Sequence, residues 1–165
     1  MQRNLIRKTL LATLMAMAAA VHASGNHAGG HDHADTAIGA PGDATHVNRT
    51  VRVDMDDAMR FSPAQIDVQD GETIRFQVVN NGRLRHEMTL GTPADLAAHA
   101  AQMRKHPGME HADANAVTVA PGEAGELVWH FTQAGSVEFG CLQPGHFEAG
   151  MRGAVHVLPA PSVKS

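Results

Sequence analysis

Residues 141–151 read CLQPGHFEAGM and hold the only cysteine of the chain, followed by a histidine and a methionine at C-x4-H-x4-M spacing. A thiol, an imidazole and a thioether on one short loop are soft or borderline donors. Such a set suits copper better than magnesium or calcium, which take oxygen ligands. Two histidines, one cysteine and a weak axial methionine describe a blue-copper site. Cys141, His146 and Met151 come from the loop, so the second histidine must come from elsewhere. His86 is the best candidate, because it follows the NNGRLR turn at the start of an expected strand. Two His, a Cys and a Met offer a compromise geometry for Cu(I) and Cu(II), so little has to move when the redox state changes. Taken singly, Cys141 is also compatible with a buried inert thiol, a dimer bridge or a nucleophile.

The elements that position these residues are legible from the chain. The first 23 of the 165 residues read as a secretory leader. MQRNLIRK is basic, TLLATLMAMAAAV is apolar and short, and Val21-His22-Ala23 fits a cleavage site. A periplasmic protein with no membrane span in the mature chain is the expectation. Loss of the leader leaves 10 basic against 17 acidic residues, a formal charge of −7. That balance argues against nucleic-acid binding, which needs a basic footprint, and is compatible with cationic ligands. A lone cysteine in an oxidising compartment cannot form an intramolecular disulfide.

Residues 24–48 are rich in Gly, Ala, Asp and His, carry no apolar period and read as a disordered tail with His27, His31, His33 and His46. Beyond Arg49, period-2 alternation predicts seven or eight short strands. Val51 and Val53 mark the first. Ile66 and Val68, then Ile74, Phe76 and Val78, flank an Asp70-Gly71 turn. Residues 85–90 form another strand. Leu127, Trp129 and Phe131 share one face, as do Val137, Phe139 and Cys141. The last strand covers 153–158. Between them, PADLAAHAAQMRK at 93–105 predicts a helix, with Pro at its start and basic residues at its end. This pattern gives an all-β, antiparallel β-sandwich with a helical insertion.

With these residues in place, FSPAQIDVQDGETIRFQVVNNG, RHEMTL and VTVAPGEAGELVWHFTQAGSVEFGCLQPGHFEAGMRGAVHV resemble a bacterial cupredoxin of the plastocyanin/azurin superfamily. The resemblance covers residues 49–159 and implies a Greek-key β-sandwich. It implies type 1 copper ligands at His86, Cys141, His146 and Met151, with Pro144 and Gly145 shaping the loop. Two departures stand out. Glu87 follows the first ligand position, where several blue-copper proteins carry an Asn that ties the ligand loops together. The insertion at 91–116 is absent from the smallest electron carriers.

That insertion carries His99, Met103, His106, Met109 and His111, and Met55, Met59 and Met88 add thioethers. Thioethers favour Cu(I) and imidazoles accept Cu(II), so auxiliary copper sites are expected at the insertion and at His27, His31 and His33. Similar His/Met-decorated cupredoxins belong to bacterial copper-resistance systems. The resemblance therefore implies copper handling, with electron transfer between redox partners as the alternative; copper ions and a redox or copper-transfer protein are the expected partners. An enzyme is not expected. A trinuclear centre needs several His-x-His pairs, and only His31-Asp32-His33 has that form; a binuclear thiolate-bridged centre needs two cysteines. His130 and His156 alternate with apolar neighbours and are expected to face solvent.

Overall fold

The computed structural model describes residues 37–106 and 113–161. Among them are ten strands and one helix: β1 (Ala40–Pro41), β2 (Arg49–Asp56), β3 (Arg60–Ser62), β4 (Gln65–Gln69), β5 (Thr73–Asn80), β6 (His86–Gly91), α1 (Pro93–Lys105), β7 (Ala116–Val119), β8 (Ala124–His130), β9 (Gly135–Gly140) and β10 (Arg152–Leu158). The proposed leader, residues 1–23, lies outside the described residues. No described helix is long and apolar enough to cross a membrane.

The strands form two five-stranded sheets, ordered β1-β8-β5-β2-β3 and β4-β10-β9-β6-β7. Alternation along the strands supplies the apolar faces between them. In β5, Ile74, Phe76 and Val78 are fully buried; in β10, Val155 and Val157 are buried while His156 is exposed. Edge-to-face aromatic pairs fill the middle, Phe61 on Phe139 with centroids 5.0 Å apart and Phe76 on Phe131 at 6.3 Å.

Two sequence expectations are corrected here. Both sheets are mixed rather than purely antiparallel, because β2 pairs with β5 and β4 with β10 in parallel. The strands around Asp70-Gly71 therefore do not form a hairpin. The chain crosses from one sheet to the other at that turn, which local alternation cannot reveal. Part of the segment expected to be a disordered tail is also held in the fold. Ala40 and Pro41 pair with β8, and the Trp129 indole N–H donates to the Ile38 carbonyl at 2.7 Å. Sheet pairing and a satisfied indole thus hold part of a segment whose composition reads as disorder.

The helix falls where its sequence places it. The Thr92 hydroxyl caps it by accepting from the Asp95 amide at 3.2 Å, and Pro93 occupies the first turn. Leu96, Ala100 and Met103 form its buried stripe.

Gly153 shows how closely β10 and its neighbours pack. A Cβ there would run into the Phe139 ring and lie 2.5 Å from the Ala64 carbonyl oxygen. Gly153→Ala is expected to lower stability by about 1–3 kcal/mol through overpacking. The urea midpoint should fall at unchanged m-value; an unchanged midpoint would contradict this packing.

Candidate metal centre

Cys141 follows the last residue of β9, His86 opens β6, and His146 lies in the loop between β9 and β10. Their donor atoms converge. Cys141 Sγ lies 3.3 Å from His146 Nδ1 and 3.9 Å from His86 Nδ1, and the two Nδ1 atoms are 3.2 Å apart. All three lie within 4.8 Å of one another. Met151 closes the loop through its backbone: its N–H donates to the His146 carbonyl and its carbonyl accepts from the Cys141 N–H, both at 3.1 Å. Cys141, His86 and Met151 are fully buried, and His146 is half-buried. Three soft or borderline donors facing one point, with a thioether residue on the same loop, fit copper by donor chemistry.

Burial pushes the Cys141 thiol up to about 12, against the opposing pull of the Glu87 backbone N–H. Without a metal the site therefore holds a neutral thiol. Burial, then the neighbouring His86, lowers the pKa of His146, which favours the neutral imidazole that a metal requires.

Two carboxylates support the cluster: Glu87, which the sequence marks as a departure at a loop-tying position, and Asp57, which nothing in the sequence singles out. Glu87 is buried, and its oxygens accept from the Leu142 N–H at 3.0 Å and the Gln143 side-chain amide at 3.1 Å. Its own N–H points at Cys141 Sγ, 3.4 Å away. The carboxylate thus ties β6 to the ligand loop, the task that an Asn performs in several blue-copper proteins. Asp57 lies in the turn between β2 and β3, with Oδ1 3.2 Å from His86 Nε2. The Arg83 amide first, then those of Leu84 and the His86 imidazole, hold its carboxyl below the usual range.

The helix braces the same loop. Leu96, Ala100 and Met103 pack with Leu142 and Phe147 in a second apolar cluster, and Arg104 pairs with Glu148. Arg152 stacks on the Phe147 ring, its guanidinium 3.7 Å from the ring centroid.

The remaining histidines and methionines divide by burial. Met55 and Met88 are fully buried core residues, and Met59 packs against that core. Met103 is buried at the helix–loop contact rather than presented to solvent, because its helix position faces Phe147 and Leu142. His99 is half-buried and His106 exposed. Met109, His111, His27, His31 and His33 lie outside the described residues. His156 is exposed and bonds Gln65, and half-buried His130 bonds the Thr73 hydroxyl.

Comparison with known proteins agrees with copper as the ligand of the fold. Residues 45–158 match the family of copper binding proteins described as plastocyanin/azurin. The chain is 56% identical to a copper-resistant cuproprotein, CopI, of Rubrivivax gelatinosus, over 95% of this chain and 99% of that one. Another CopI, from Pseudomonas aeruginosa, is 34% identical over 93% and 98% of the two chains. Among solved structures, reduced auracyanin from Roseiflexus castenholzii aligns with a TM-score of 0.58 at 21% identity, covering 70% of this chain and 99% of that one.

Replacing Glu87 tests the tie. Glu87→Ala leaves the buried Leu142 N–H without its acceptor and should cost about 1–3 kcal/mol in the metal-free protein. Glu87→Gln keeps one oxygen and should fall between that variant and wild type. Equal urea midpoints for all three would contradict the assignment.

Proposed function

The chain belongs to the plastocyanin/azurin family of copper-binding proteins, and from that premise we propose that it binds one copper ion through His86, Cys141, His146 and Met151 and serves in copper handling in the periplasm. The observation that carries the second half is the end-to-end likeness to a protein named as a copper-resistant cuproprotein, which extends over nearly the whole length of both chains. The convergence of Cys141 Sγ with two Nδ1 atoms supports the first half. When bound, copper supplies a one-electron couple. The chain's own part is to hold the donors in place: Glu87 fixes the loop, the helix packs over it, and burial keeps solvent from the thiol.

We read residues 1–23 as a leader removed on export, which places the mature chain outside the cytoplasm. Residues 49–159 serve as the copper domain, with 91–116 as its insertion and 160–165 as its tail. His99, His106, Met109 and His111, with His27, His31 and His33, are the proposed auxiliary copper donors; Met103 contributes packing instead. The protein acts by binding rather than by catalysis.

Electron transfer is the second reading. It is favoured by one feature: His146 is half-buried while His86, Cys141 and Met151 are fully buried, so a redox partner could approach the centre through that imidazole.

Copper stoichiometry separates the two. The mature protein, residues 24–165, should bind more than one tight equivalent. A variant with His99, His106, Met109, His111, His27, His31 and His33 replaced by Ala should retain one. Cells carrying that variant should tolerate less copper than cells carrying wild type. Saturation of the unmodified protein at one equivalent would favour the electron carrier.

A further inference from the structure

Asp57 is a surface residue, its side chain 38% exposed, yet its carboxylate is held from several directions. The Arg83 N–H reaches Oδ1 at 3.0 Å and Oδ2 at 2.8 Å, and the Leu84 N–H reaches Oδ1 at 3.2 Å. Both donors belong to the turn that leads into His86. That turn is itself pinned by Asn80, which is fully buried. Its amide donates to the Leu84 carbonyl at 2.8 Å and to the Val119 carbonyl at 3.0 Å, and its oxygen accepts from the Gly82 N–H at 2.9 Å. Gly82 leaves room for the acid, since a Cβ there would collide with Asp57 Oδ1. A carboxylate held by backbone amides, in a space that a glycine leaves open, is a built feature of the fold.

Its remaining contact is His86 Nε2 at 3.2 Å. The opposite nitrogen, Nδ1, faces Cys141 Sγ and His146 Nδ1. The two ring nitrogens of His86 therefore have separate tasks. A carboxylate oxygen accepts, so in the neutral tautomer that this geometry favours the ring N–H is on Nε2, facing Asp57, and the Nδ1 lone pair faces Cys141 and His146. A carboxylate behind a metal-binding imidazole fixes the tautomer, orients the ring and raises the basicity of the donor nitrogen.

We propose that Asp57 is the positioning residue of this centre, setting the tautomer of His86 and strengthening its Nδ1 as a donor to Cu(II) over Cu(I). The proposal rests on the four-residue copper reading and adds to it a residue 29 positions before His86 that lies outside the ligand loop.

Two measurements test it. In the metal-free wild-type protein, at a pH where nitrogen-15 NMR shows the His86 ring to be neutral, its single proton should reside on Nε2. A single proton resident on Nδ1 overturns the proposal, whether or not copper binds. In the copper-loaded protein, Asp57→Asn and Asp57→Ala should each weaken Cu(II) binding by about 10–100-fold, the usual effect of losing such a partner, and Cu(I) binding by less. Each tenfold loss confined to Cu(II) raises the reduction potential by about 59 mV. Unchanged potentials in both folded variants overturn the proposal. Absence of a thiolate-to-copper band in wild type would instead count against the four-ligand reading, and the His86 tautomer would still decide the role of Asp57.

Discussion

The tie between the Glu87 carboxylate and the chain leaving Cys141 is the interaction on which the donor cluster depends. Pairing of Thr89 with Gly140, continued antiparallel, sets Glu87 opposite Leu142. A buried carboxylate must find donors there, and it finds the Leu142 N–H and the Gln143 amide. The same residue aims its own N–H at Cys141 Sγ. One residue thereby fixes the strand that carries His86 against the loop that carries Cys141 and His146. Where several blue-copper proteins place an Asn, this chain places an acid and meets the same demand for a loop tie with its carboxyl oxygens.

The insertion belongs to this arrangement. Its helix buries Leu96, Ala100 and Met103 against Leu142 and Phe147, the residues that follow Cys141 and His146. The loop is thus held from one side by Glu87 and from the other by the helix. The fully buried cysteine is shielded from solvent on both counts, while His146 keeps some exposure. The division of donors follows from packing. The thioether residues Met55, Met88 and Met103 sit in apolar clusters, whereas His106 is exposed and His99 half-buried.

What the sequence discloses and what it hides follows the range of the interactions. The helix at 93–105 was legible because Thr92, Pro93 and the terminal Arg104 and Lys105 are local signals. The strands were legible because alternation is local too, and the proposed donors Cys141, His146 and Met151 because C-x4-H-x4-M lies on one loop, to which β6 brings His86. The parallel pairing of β2 with β5 and of β4 with β10 was not, since nothing within either strand names its neighbour. Residues 37–48 read as tail because they carry no apolar period, but β8, far along the chain, supplies the strand and the Trp129 indole that hold Ile38, Ala40 and Pro41. Asp57 reads as one acid among several in DMDD. Only the fold brings it behind His86, and the signal that could have marked it, Gly82 after Asn80-Asn81, reads locally as a turn.

The central claim, that one copper ion is held by His86, Cys141, His146 and Met151, is tested most directly by copper titration of the mature protein beside Cys141→Ser, followed by visible absorption. The account predicts an intense thiolate-to-copper band that saturates at one equivalent in the wild-type protein and is absent from Cys141→Ser. Tight copper binding with no such band in the wild-type protein, under conditions that keep copper as Cu(II), would contradict it.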